Sequence, residues 1–164
     1  MKKEINYEEV LKKIAELKDG KTYDLSTEED LAIAVMNLIS LEEHFFFTGA
    51  KTNKPEYYDL LIEVRSVRTK LLGKMIEKTE GEVWCVSKHL LATSMRLFEV
   101  GTKLQSDNKK EEAQEMFRDA YKMFNLFFAL RLKLVDLPDI KSDVEKPMTI
   151  DDIMSKLVDC CSEK

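Results

Sequence analysis

The sequence predicts an all-α protein, an antiparallel up-down four-helix bundle with short additional helices at the N- and C-termini. Three observations support this fold class. Five glycines and three prolines in 164 residues leave little material for turns, and 35% of the residues are charged. The β-branched residues never alternate with polar ones over the length of a strand. Finally, helix-capping patterns recur immediately before apolar runs of helical period.

These capping patterns place the helices in order. A side-chain oxygen followed three residues later by a carboxylate satisfies backbone amides at a helix start, and four such pairs occur. Pro55 and the Gly81-Glu82 step mark two more starts, while Gly20, Gly49 and Gly81 mark stops. The pairs are Asn6 with Glu9, Ser26 with Glu29, Asn108 with Glu111, and Thr149 with Asp152. The predicted helices cover residues 7–18, 27–48, 55–79, 82–105, 109–134 and 150–161.

The distribution of charge divides the chain into three parts. Residues 1–135 are expected to form the bundle domain, in which short connections favour antiparallel neighbours. Residues 136–148 contain two prolines and are expected to be an acidic linker. Residues 149–164 are expected to form a C-terminal amphipathic helix. Together, residues 136–164 carry eight carboxylates and four lysines, which gives them -4 of the formal net charge of -5.

Composition also restricts the environment and the partners. No basic face with interleaved aromatic residues is evident, so nucleic-acid binding is not expected. The three cysteines, Cys85, Cys160 and Cys161, do not suggest a disulfide framework because the count is odd and two of them are adjacent. The N-terminal residues lack the apolar stretch of a secretory signal. We therefore expect a cytoplasmic protein.

The helix predicted at residues 27–48 is apolar on nearly all sides. Between Leu31 and Leu41 only Asn37 and Ser40 are polar. Such a helix must be covered on most sides, either as the central core helix or as a helix shared between the core and a homodimer interface. The run falls short of the roughly 20 apolar residues of a membrane span, so no membrane interaction is expected.

Carboxylates that lie at similar heights in an up-down bundle form the main candidate site. This candidate polar cluster comprises Glu43, Glu63, Arg96 and Glu99. The residues suit a structural ion-pair network. The alternative is a divalent or transition metal held by Glu43, His44, Glu63 and Glu99, as in carboxylate-bridged bundles. The Glu-x-x-His spacing of ferritin-like proteins is absent from the sequence.

Cys85 and His89, with His44, are secondary candidates. Cys85 and His89 are four residues apart on one helix, so they could supply half of a zinc site or a thiol with its base. No third member is evident, and a surface or groove-facing position is the alternative. His44 and His89 lie about 20 Å apart in this topology, which is too far for one metal ion.

One helical hairpin has the residue pattern of a known repeat. Small residues at Gly101, Ala113 and Ala120 allow close helix packing, and Phe117 fills the adjacent space. With Leu97, Val100 and Leu104, the segment from Leu97 to Met123 resembles a single tetratricopeptide unit, although Asn125 stands near the place of its closing proline. The resemblance implies an adapter in which Met95, Phe98 and Thr102 face a concave surface. A packed hairpin within a bundle is the alternative.

These observations predict a non-enzymatic helical interaction or regulatory module that binds a protein or a second copy of itself through apolar helix surface. No phosphate-binding loop, nucleophile elbow or calcium loop occurs in the sequence, and no cofactor is expected. The alternative is a metal-binding bundle or a metal-dependent hydrolase.

Overall fold

A computed structural model of the protein describes residues 24–77 and 82–135, together with five isolated residues near the N-terminus, Glu8, Leu11, Lys12, Ala15 and Glu16. The predicted linker at 136–148 and helix at 150–161 lie outside the described residues, as does most of the helix predicted at 7–18. Within the described ranges there are four α-helices and no strands, so the all-α prediction is confirmed. The helices are α1 (Leu25–Thr52), α2 (Glu56–Leu72), α3 (Glu82–Ser106) and α4 (Lys110–Arg131).

Helices α1 and α2 pack as one pair, α3 and α4 as a second pair, and the two pairs meet mainly through α1 and α3. The buried core includes Val35 of α1, Leu72 at the end of α2, Trp84 and Leu91 of α3, and Phe127 of α4. All four helices therefore contribute to a single core. A two-point ion pair further joins α1 to α4, because Arg131 donates from Nε and Nη2 to the Glu28 carboxylate at 2.8 and 2.9 Å.

Small residues bring α3 and α4 together. A Cβ atom added at Gly101 would lie 2.6 Å from the Phe117 ring, a distance shorter than van der Waals contact. Ala113 and Ala120 on α4 are buried, at 0% and 6% exposure. This is the close contact that the spacing of Gly101, Ala113, Phe117 and Ala120 predicts. It is equally compatible with a repeat unit and with an ordinary packed pair.

The ends of α1 differ from the prediction. Asp24 caps the helix instead of Ser26: its carboxylate accepts hydrogen bonds from the Thr27 hydroxyl at 2.6 Å and from the backbone amides of Thr27 and Ser26. The Thr27 hydroxyl bond, followed by the amide bonds, holds the pKa of Asp24 below its ordinary value. At the other end, α1 continues through Gly49 and stops at Asn53, which has a left-handed φ of 53°.

Two other predicted boundaries are corrected. Helix α2 ends at Leu72 and does not extend to residue 79, because the chain turns at Gly73 and directs Met75 and Ile76 into the core, where they are 5% and 2% exposed. Asn108 does not cap α4. It takes a φ of 64° and closes α3, with the Lys109 amide donating to the Leu104 carbonyl at 2.9 Å.

Helix α1 is longer and less covered than predicted. It has 28 residues and is long and apolar enough to cross a membrane, by length and composition only. The core helix of a soluble protein can pass the same test. Only 22% of its most apolar stretch is buried by the described structure. The described helices therefore leave much of the apolar surface of α1 uncovered.

Two buried serines of α3 give a matched test of this packing. Ser94 Oγ donates to the Ala120 carbonyl at 2.8 Å, whereas Ser87 Oγ has no hydrogen-bond partner within the described part of the chain. Ser94→Ala should lower the free energy of unfolding by about 1 kcal/mol, because it leaves that contact unmade. Ser87→Ala should be neutral or stabilising, because it removes a buried hydroxyl that makes no bond. Urea unfolding measures both, and a larger loss for Ser87→Ala would contradict the packing.

Candidate functional site

A cleft of about 350 Å³ opens where α1, α2 and α3 meet. Its apolar lining comes from all three helices: Ile39 and Phe46 of α1, Leu61 of α2, and Ala92 of α3. Phe46 is 49% exposed. The cleft therefore offers apolar surface that the described helices do not cover.

An ion pair between α1 and α2 lies at the cleft wall. Arg68 is 1% exposed and Glu42 is 8% exposed, so both charges are almost fully removed from water. Arg68 donates from Nε to Glu42 Oε1 at 2.7 Å and from Nη2 to Oε2 at 3.3 Å. Arg65, whose side chain is 40% exposed, donates from Nε to the same Oε2 at 2.9 Å. Two guanidinium groups thus share one buried carboxylate.

More basic than acidic side chains line the cleft. Helix α3 adds Lys88 and His89 to the lining. The second acidic residue of the lining, Glu43, forms an ion pair with Arg96. The distance from Arg96 Nη2 to Glu43 Oε2 is 2.7 Å. Arg96 offsets the charge of Glu43, and Arg65, Arg68 and Lys88 line the cleft beside the two carboxylates Glu42 and Glu43. Apolar surface beside excess positive charge suits a ligand that carries both apolar and acidic groups.

The structure brings together part of the predicted polar cluster. Glu43 and Arg96 form the ion pair already described, and Arg96 Nη2 also donates to Ser40 Oγ at 2.9 Å. Glu99 is half-buried on α3, and Glu63 is exposed on α2. Neither Glu63 nor Glu99 lines the cleft. Within the described residues, the ion pair between Glu43 of α1 and Arg96 of α3 is the part of this cluster that lies at the cleft.

The secondary candidates lie in different surroundings. Cys85 is buried in the core at 3% exposure, whereas His89, one turn later, is exposed at the cleft. His44 is exposed and lines a second hollow of about 320 Å³ with Glu43 and Arg96. Among the residues that the structure describes, no group of three or more His, Cys, Asp or Glu side chains could hold a metal ion.

Sequence reasoning missed the two most buried charges, Glu42 and Arg68. Helical spacing contained the signal, because Val35, Glu42 and Gly49 recur at seven-residue intervals and all three are buried. Arg68 likewise lies seven residues after Leu61 and four before Leu72. A carboxylate on the buried stripe of one helix and a guanidinium on that of its neighbour predict a buried pair.

Comparison of the sequence with protein-family models and with curated proteins, and of the structure with solved structures, found no match.

The neighbouring residues Glu42 and Glu43 allow the contribution of the buried Glu42–Arg68 ion pair to the free energy of unfolding to be measured. Glu42→Gln should lower the free energy of unfolding by about 3 kcal/mol, because it removes the negative charge to which the buried Arg68 donates two hydrogen bonds. Glu43→Gln is the matched control: its partner Arg96 is 51% exposed, so the loss should stay below about 1 kcal/mol. Urea unfolding at neutral pH measures both variants. Equal losses would show that burial does not distinguish the two ion pairs.

Proposed function

We propose that this protein is a non-enzymatic helical interaction module whose cleft between α1, α2 and α3 binds an acidic amphipathic helix of a partner protein. The observation that carries the proposal is the sharing of the buried Glu42 carboxylate by Arg65 and Arg68 beside exposed apolar side chains. An amphipathic helix in a groove presents apolar residues to the floor of the groove, and its acidic residues are attracted to the basic wall.

The up-down order of the bundle is part of this proposal. Gly49 near the end of α1 lies against Tyr57 and Tyr58 at the start of α2, whereas Glu42, earlier in α1, binds the later residue Arg68. Likewise, Gly101 lies near Phe117, and the earlier Ser94 binds the later Ala120. These contacts support antiparallel neighbours within each pair. In this arrangement α3 lies across α1 and forms one side of the cleft.

Two designed peptides test the charge preference of the cleft. The first is a fluorescein-labelled amphipathic helix with leucines on one face and glutamates beside them. The second replaces every glutamate by lysine. We expect the acidic peptide to bind with an affinity that falls as salt is added, and the basic peptide to bind at least about tenfold more weakly. Fluorescence anisotropy measures both, and equal binding of the two peptides would overturn the proposal.

Substitutions on α2 and α3 test whether the acidic peptide binds in the cleft. Arg65→Gln should weaken binding of the acidic peptide by about tenfold, a loss of about 1.4 kcal/mol of binding free energy. Lys70→Gln makes the same change of charge at an exposed position outside the cleft and should leave the affinity unchanged. Lys88→Gln is a second cleft variant, on α3. Equal effects of Arg65→Gln and Lys70→Gln would exclude the cleft as the binding site.

A second candidate function is homodimerisation, which is favoured by an apolar face on the α1–α2 pair away from the cleft. Leu60, Val64 and Val67 recur at four and three residues along α2, and Leu60 and Val67 are 44% and 49% exposed. Val67 is two residues from Arg65, about 200° around the helix. Leu41 of α1 is 37% exposed, and Phe45, one turn later, has its ring centroid 6.3 Å from that of Tyr57. This side of α1 therefore adjoins α2.

Sedimentation velocity tests the dimer. We expect the wild-type chain to sediment as a dimer and Val67→Glu to sediment as a monomer, because a charge would then lie within the apolar interface. Ile62→Glu adds the same charge at a residue of α2 that is 60% exposed and lies outside this face, and should leave the dimer intact. A wild-type monomer at the highest soluble concentration would exclude this function and leave the cleft proposal standing.

A further inference from the structure

We propose that the acidic C-terminal segment of this chain, residues 149–164, docks in the cleft between α1, α2 and α3 and competes there with the partner helix. This inference rests on the proposed function of the cleft, because it assigns an internal competitor to the same site. Three observations favour this occupant: complementary charge, an apolar pattern of helical period, and the point at which the described chain ends.

Charge is the first observation. Residues 149–164 carry four carboxylates and two lysines, and the connecting residues 136–148 carry the same numbers, so the segment and its connection are both net negative. The cleft has the opposite balance, since three basic side chains, Arg65, Arg68 and Lys88, and two carboxylates line it. Electrostatic attraction between the acidic segment and the basic side chains of the cleft raises the local concentration of the segment there.

The apolar pattern is the second observation. Ile150, Ile153, Met154 and Leu157 recur at the three- and four-residue spacing of one helix face. A helix with one apolar face requires apolar surface to cover it. The cleft provides such surface at Ile39, Phe46 and Leu61.

The position of the chain end is the third observation. The described chain ends at Val135, which packs against the core cluster that contains Leu72 at the end of α2. Leu72 is seven residues, or about 10 Å along the helix, from Arg65. Residues 136–148 can extend to about 43 Å. The connection is therefore long enough for residues 149–164 to reach the cleft.

Because residues 149–164 belong to the same chain as the cleft, even weak binding of this segment is enough to occupy the cleft most of the time. A short tether gives an effective concentration of about 1 mM, so a segment that binds the cleft with a dissociation constant of about 0.1 mM occupies it about 90% of the time. A partner that needs the empty cleft then binds about tenfold more weakly than it would to a chain whose segment is released.

The test uses the full-length chain with two substitutions on the apolar face of the segment, Ile153→Gln and Leu157→Gln. These changes leave the net charge unaltered. We expect the designed acidic peptide to bind this variant about tenfold more tightly than the wild type. In the absence of peptide, the backbone amide NMR signals of Leu61, His89 and Ala92 should shift relative to those of the wild type. The matched control, Ser155→Gln with Ser162→Gln, changes residues off the apolar face and should alter neither measurement.

The two readouts separate this inference from the proposed function. If the signals of Leu61, His89 and Ala92 are the same in the variant and the wild type, the segment does not occupy the cleft and the inference is overturned, whether or not the peptide binds. If these signals shift but the acidic peptide binds neither protein, the docking stands and the proposed partner site fails. An equal response to the serine substitutions would also overturn the inference, because the apolar face would then not be what docks.

Discussion

The buried ion pair between Glu42 and Arg68 is the interaction on which the arrangement of α1, α2 and the cleft depends. Removing two charges from water costs several kcal/mol per ion, and only close, correctly directed hydrogen bonds offset that cost. Arg68 meets this requirement with two bonds to the carboxylate, at 2.7 and 3.3 Å. A slip of α2 along α1 would break both bonds and leave both charges buried. The Glu42–Arg68 ion pair thus fixes the position of α2 along α1.

The properties of the cleft follow from this constraint. Arg65 and Arg68 both bind the one buried carboxylate of Glu42, so two guanidinium groups lie at the cleft wall beside a single buried acid. The second carboxylate of the lining, Glu43 of α1, pairs with Arg96 of α3. Helix α3 also completes the wall with Lys88 and His89. No single helix carries the site, which exists only where three helices pack together.

The fold class was predictable from the sequence because helical periodicity and capping are local properties. The helix boundaries were less predictable, because some glycines lie inside helices and some asparagines end them. Gly49 and Gly101 lie inside helices, where the absence of a side chain permits close packing, while Asn53 and Asn108 take the left-handed conformation at the helix ends. The site was only partly predictable. The height argument identified Glu43 and Arg96, but the buried pair depends on which helix faces meet, and that is set by packing across the whole core.

A double-mutant cycle between Glu42 and Arg68 measures the coupling directly. The variants are Glu42→Met, Arg68→Met and the two combined, with the free energy of unfolding obtained from urea titration at neutral pH. Glu42→Met removes the carboxylate that Arg68 binds and should cost about 3 kcal/mol. Arg68→Met leaves Glu42 bonded to Arg65 and should cost less. The double variant should lose at least about 1 kcal/mol less than the sum of the two single losses. Additive losses would contradict the central role of this pair, because each charge would then act independently of the other.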